Sequence, residues 1–177
     1  KSVFAYDTER PYNIISKSSL CSGGAEQVER TYYSNNTIPD KEFLTTSQRS
    51  AIQLLTSRNY LTTPVQQTME KKDKRLYSVL RGYSSSLSSG MVVEDQYYCK
   101  GTDKYEKRIS YNKYDIYGNP VYINKDGAEK VVYLWGYKGQ YLLAEIKGAT
   151  YEEVKKALMV DPASMSSCIL PSMPLYL

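Results

Sequence analysis

From Tyr111 to Ile123 the chain runs Tyr-Asn-Lys-Tyr-Asp-Ile-Tyr-Gly-Asn-Pro-Val-Tyr-Ile, two strand-forming stretches broken by a tight-turn signal. Tyr111, Ile116, Val121 and Ile123 favour extended backbone, whereas Gly118-Asn119-Pro120 between them marks a reversal. Asp115 is placed to accept hydrogen bonds from the backbone that enters the turn. The same cadence recurs along the chain. Strand-like residues 12–19 and 26–34 flank Gly23-Gly24, and residues 65–70 and 75–83 flank the charged tip Lys71-Lys72-Asp73-Lys74. Residues 92–100 and 105–114 flank Gly101-Thr102-Asp103. Residues 121–125 and 129–137 flank Asp126-Gly127, the pair preferred in a type I′ turn, and 141–147 reads as a last strand. Hairpins that follow one another without long excursions predict a mainly β fold, an extended antiparallel meandering sheet. Residues 84–90 read as a Ser-rich loop.

The period changes twice. Over residues 46–59, Ala51, Leu54, Leu55 and Arg58 fall along one side of a helix, with Thr45, Thr46 or Ser47 as cap and Asn59 as stop. Over residues 151–159, Val154, Ala157 and Leu158 share a face, and Thr150 with Glu153 makes a capping box. Helices this short are marginal alone, so both are expected to pack on the sheet. Residues 1–160 read as one β-rich domain, or as two sub-units, 1–61 and 62–160, that each run from strands to a helix. Residues 161–177 hold Pro171, Pro174 and no period, and read as an irregular tail.

Composition narrows the chemistry. Nineteen tyrosines against two phenylalanines and one tryptophan suit a sheet with a wetted face, or a surface that touches sugars or partners. The formal charge of +4 is spread among acids, and the cluster at 71–75 fits a solvated loop tip, so no nucleic acid is expected as partner. There is no apolar run long enough to span a bilayer, and none of the 177 residues is histidine. Without histidine, Ser-His-Asp and Cys-His catalysis and the commonest metal ligand are gone. Cys21, Cys99 and Cys168 stand far apart with no Cys-x-x-Cys pair; they read as buried thiols, their pairing open. The acids Glu94-Asp95 and Glu152-Glu153 are adjacent, not opposed across a cleft as a glycosidase needs. Gly136-Tyr137-Lys138-Gly139 reads as a turn. No catalytic residue, metal or cofactor is expected.

One constellation points to binding. Alternation puts Tyr133, Trp135 and Tyr137 on one strand face, a row that either stacks on sugar rings or buries itself against the next helix.

The segment 106–158 resembles part of very large Rhs/YD-repeat-like proteins of Bacteroidetes. The residues that carry the likeness are Tyr114-Asp115 with Gly118-Asn119-Pro120-Val121-Tyr122-Ile123, then Val132-Tyr133-Leu134-Trp135-Gly136-Tyr137, then Ala144-Glu145-Ile146-Lys147 and Ala149-Thr150-Tyr151-Glu152-Glu153-Val154. About a third of the chain is covered well, and residues 58–67 are similar more loosely. The resemblance implies an extended curved sheet, with Tyr114, Asp115, Gly118, Asn119 and Pro120 as structural motif residues. It implies a secreted or cell-surface scaffold whose open edges meet neighbouring repeats or a second copy. This chain is too short to form a shell by itself and carries no toxin segment; because it opens on Lys1, it reads as cut from a longer product. The leading expectation is therefore a non-enzymatic scaffold module. The alternative is a carbohydrate-binding module built on the Trp135 row and taking polysaccharide; an enzyme without histidine comes third.

Overall fold

The structure, a computed structural model, describes residues 1–87, 90–126 and 129–167. Ten strands neighbour one another in space in the order they occupy in sequence: β1 (Ser2–Tyr6), β2 (Ile14–Leu20), β3 (Glu26–Tyr33), β4 (Pro64–Lys71), β5 (Lys74–Leu87), β6 (Gly90–Lys100), β7 (Glu106–Tyr114), β8 (Pro120–Lys125), β9 (Glu129–Gly136) and β10 (Tyr141–Lys147). They make the open antiparallel meander that the hairpin cadence predicts, with β1 and β10 at its ends. Two α-helices, α1 (Thr46–Ser57) and α2 (Tyr151–Leu158), and the 3-10 segments Lys41–Phe43 and Pro162–Ser167 complete it. Among the described residues no helix is long and apolar enough to cross a membrane.

Three local expectations need correction. The Ser-rich stretch is not a loop: β5 runs on to Leu87 and β6 starts at Gly90, because pairing with neighbours overrides the weak strand propensity of serine. The tail from residue 161 opens with an ordered 3-10 helix, Pro162–Ser167, in which Pro162 and Ser166 are buried. Strand β1 had no counterpart in the sequence reading. At the tip after β8 Asp126 has φ 48° and Lys125 pairs with Glu129; Gly127, on which the type I′ expectation rests, lies outside the described residues, as does Cys168.

The chain divides into two compact units, residues 1–85 with 93–108, and residues 86–92 with 109–177. This division falls beyond the second strand set and not at 61/62.

In the first unit, β2 and β3 are joined through Gly23 and Gly24, both at positive φ, as a hairpin. Helix α1 starts with a capping box: the Thr45 hydroxyl accepts from the Gln48 amide while the Gln48 side chain accepts from the Thr45 amide. It stops at Asn59, whose left-handed φ of 61° lets the Tyr60 amide reach back to the Leu55 carbonyl. Its buried side is Ala51, Ile52 and Leu55, together with Gln48. Gln66 pairs with Leu80 and Thr68 with Ser78, so these four buried residues share one face of β4 and β5. The loops around α1 are spliced by buried polar side chains. Asn13 donates to the Leu61 carbonyl at 2.9 Å, and the Ser34 hydroxyl donates to the Tyr60 carbonyl at 2.8 Å.

The second unit packs by apolar contact. Val132 and Leu134 of β9 and Val154 of α2 form its core, with Tyr122, Ala144, Ile146, Ala149 and Met165 around them. Val132, Leu134 and Val154 each contribute roughly 1.5–3 kcal/mol by leaving water, and the partly buried side chains around them less. Thr150 and Glu153 cap α2 as their spacing predicts. The Tyr151 hydroxyl donates to Asp161, and Lys155 pairs with the same carboxylate at 3.0 Å, which fixes the helix end to the 3-10 segment.

Candidate functional site

The aromatic row is shorter than alternation suggests. Strand β9 ends at Gly136, and Tyr137, Lys138 and Gly139 then take three successive left-handed conformations. Tyr137 therefore stands in the turn, edge-on to Tyr141 at 5.6 Å, while Tyr133 and Trp135 stay on the strand. Both strand rings are half-buried, and the Trp135 indole N–H donates to the Pro120 carbonyl at 2.8 Å. The opposite face, with Val132 and Leu134, is the one under α2. Strand β10 is bulged: Leu142 opposes Trp135 and Ala144 opposes Leu134, so Leu143 is the extra residue. Its side chain lies over Gly136, where an added Cβ would come within 2.6 Å of it.

The motif residues around Asp115 form a clamp. Asp115 is buried; its Oδ1 accepts from the amides of Tyr117 at 2.9 Å and Asn119 at 2.8 Å. The Asn119 side-chain amide donates to Asp115 Oδ2 at 3.1 Å and to the Gly139 carbonyl at 2.8 Å, so it ties the β7–β8 turn to the β9–β10 turn. Gly118 supplies the φ of 85° that the reversal needs. Pro120 opens β8 and pairs with Tyr114, whose ring stacks 6.1 Å from that of Tyr111. These contacts are those of a turn lock, and they leave no reactive group poised.

Sequence reasoning missed two polar clusters in the first unit. In one, Gln48 donates to Asp95 at 3.0 Å and to Glu94 at 3.1 Å, and Lys107 pairs with Asp95 at 3.0 Å. The bond to Asp95 pushes the Lys107 ammonium pKa up, and burial raises that of the Tyr97 phenol beside it. Gln48 reaches this position because residue 82 is glycine: a Cβ there would lie 2.3 Å from the Gln48 amide carbon.

The other cluster gathers on Asp40. Its Oδ2 accepts from Gln66, from the Tyr105 hydroxyl at 2.8 Å and from Arg75 at 3.0 Å. Arg75 is aimed there by a bulge: Met69 pairs with Tyr77 and Glu70 with Arg75, which leaves Leu76 extra and turns Arg75 onto the face of Gln66 and Ser78. Tyr105 also bonds Ser78 at 2.6 Å, and burial, with Asp40 beside it, holds its phenol well above the ordinary range. Cys99 is buried nearby, its thiol donating to the Asp103 carbonyl at 2.7 Å, and burial raises its pKa. That shift is away from the thiolate, the form in which cysteine acts as a nucleophile. Glu94 and Asp95, the adjacent acids, point to a structural amide; among the described residues no group of three acids or thiols is placed to hold a metal. Comparison with protein-family models, with curated proteins and with solved structures finds no match for this chain.

Proposed function

We propose that this chain is a non-catalytic scaffold module of the Rhs/YD-repeat kind, part of a secreted or cell-surface protein, whose sheet is built to take further strands at its edges. The observation that carries this reading is the character of the two end strands. β1 and β10 each pair with a single neighbour among the described strands, and both display apolar side chains to solvent: Val3, Phe4 and Tyr6 on one, Tyr141, Leu142 and Leu143 on the other. An exposed apolar edge is a template for more strand unless it is blunted by charge, proline or a covering element. β1 carries neither charge nor proline and β10 carries charge only at Glu145 and Lys147; the irregularities, a bulge at Leu143 and a register shift at Ala5–Tyr6, are confined to one position in each. The lack of histidine and the protonated, buried Cys99 support a module without a reaction of its own. Sedimentation across a concentration series tests the reading. Association that weakens in Phe4→Lys and Leu142→Lys variants supports it; a monomer at every concentration, with β1 and β10 amides exchanging freely, counts against it.

The second reading, glycan contact at Tyr133, Trp135 and Tyr137, draws support from the exposed Tyr137–Tyr141 pair at the end of the row. Saturable quenching of Trp135 fluorescence by a polysaccharide would put it ahead.

A further inference from the structure

Outside the row and the edges, the first unit contains a cleft of about 810 Å³ whose wall includes Asp40, Phe43, Arg75, Thr102 and Tyr105. We infer that this cleft is a binding site for a neutral sugar, with Phe43 as the platform and Asp40 and Arg75 as the pair that reads two adjacent hydroxyls. The inference is independent of the scaffold reading, since none of these residues belongs to an end strand or to the Trp135 row.

Asp40 carries the first part of the case. All three of its donors converge on Oδ2, so the carboxylate is fixed in place. None of these three donors is on Oδ1, and the Asp40 side chain keeps 14% of its surface exposed, so a second acceptor oxygen is held in a fixed orientation on the wall. Arg75 supplies the complementary donor. One Nη is committed to Asp40 and the Cys99 thiol lies against the same guanidinium; with five N–H groups in a rigid plane and 29% of the side chain exposed, the group has further donors to offer. A fixed acceptor beside a fixed donor matches a vicinal diol, in which one hydroxyl gives its proton to the carboxylate and the next accepts from the guanidinium. The bulge at Leu76 is what brings the two together.

The aromatic part is next to it. The Phe43 ring lies 4.9 Å from that of Tyr105 and is 43% exposed, though it sits in a 3-10 turn whose neighbours could have covered it. An exposed ring braced by a half-buried tyrosine offers a flat apolar surface to the C–H face of a pyranose. The volume falls within the range of small-ligand sites, roughly 300–1,000 Å³. Other ligand classes fit less well. The lining acids Asp40, Glu70, Asp73 and Asp103 outnumber its bases Lys74 and Arg75, which disfavours phosphates and carboxylates, and no three-ligand metal group exists among the described residues. A basic peptide is the remaining competitor.

The test is a ¹H–¹⁵N titration of the whole chain with neutral gluco-, manno-, galacto- and N-acetylglucosamine oligosaccharides, with oligolysine in parallel. The expected result is saturable movement of the Phe43, Gly101 and Thr102 amides with at least one sugar, without change in Trp135 emission. Phe43→Ala should weaken that binding on the order of tenfold, and Asp40→Asn should weaken it as well while the remaining spectrum keeps its dispersion. The proposal is overturned if no sugar moves these amides, if binding survives both substitutions, or if oligolysine saturates the cleft more tightly than every sugar.

Discussion

Each unit seats a strand- or helix-borne side chain on a strand glycine, and the seats at Gly82 and Gly136 differ in kind. In the first unit Gln48 of α1 fills the space over Gly82, held there by its cap bonds to Thr45 and by Asp95 and Glu94. In the second, Leu143 fills the space over Gly136 and is held by contact alone. A displaced aliphatic group finds other contacts cheaply, whereas a displaced buried amide leaves its partners unsatisfied. The polar seat therefore fixes the register of α1 more sharply, and the apolar seat is the more forgiving.

Substitution at the seats tests this contrast most directly. Gly82→Ala should cost about 3 kcal/mol, from steric displacement plus the lost bonds of Gln48. Adding Gln48→Ala should recover part of that loss, a coupling of about 1–2 kcal/mol in a denaturant-unfolding cycle. Gly136→Ala should cost less, about 1–2 kcal/mol, because the Leu143 tip can turn aside. Equal costs at the two glycines would break the comparison.

A third variant addresses the first unit's backbone. Lys72 and Asp73 form the β4–β5 tip at φ 49° and 58°, a conformation that favours Asn-Gly over these residues. Replacing the pair by Asn-Gly should raise stability by about 1 kcal/mol and leave the neighbouring Arg75–Asp40 pair unchanged.

The smallest effect is expected with acid. Asp161 is held at about 2 against an ordinary 3.8, mainly by the hydrogen bond from Tyr151, with Lys155 adding to it. A depressed carboxylate contributes stability that is complete above its unfolded pKa and is lost as pH falls through the folded one. The docking of the 3-10 segment on α2 should thus loosen between pH 3.8 and about 2, and Asp161→Asn should flatten that dependence in a melting-temperature series.

What the sequence disclosed was local. The Thr150–Glu153 capping box, the Thr45 cap candidate, the Asn59 stop and the carboxylate lock of Asp115 lie within a few residues of their partners, so spacing exposes them, whereas the Gln48 half of the first helix's box went unread. The Asp40 cluster was hidden because Tyr105 is 65 positions from Asp40 and Arg75 joins them only through a bulge, which has no residue signature here. Tyr137 misled for the opposite reason. Alternation of aromatics continues past the strand end, and nothing but the backbone conformation after Gly136 reveals that the face has been left. Gln48 drew no attention in the helix pattern; its burial depends on a glycine 34 positions away.

The Asn119 clamp has a chemical consequence of its own. Asparagine ages by attack of the following backbone nitrogen on its side-chain carbonyl, which closes a succinimide and converts amide to acid. At Asn119 the next residue is Pro120, whose nitrogen carries no hydrogen to lose, so this ring closure is blocked. The Asn119 amide that joins these two turns of the second unit is thereby closed to this route of deamidation. The Asn-Gly pair that would relax the β4–β5 tip is the sequence most open to that same reaction, so a gain in stability there would carry a loss in durability.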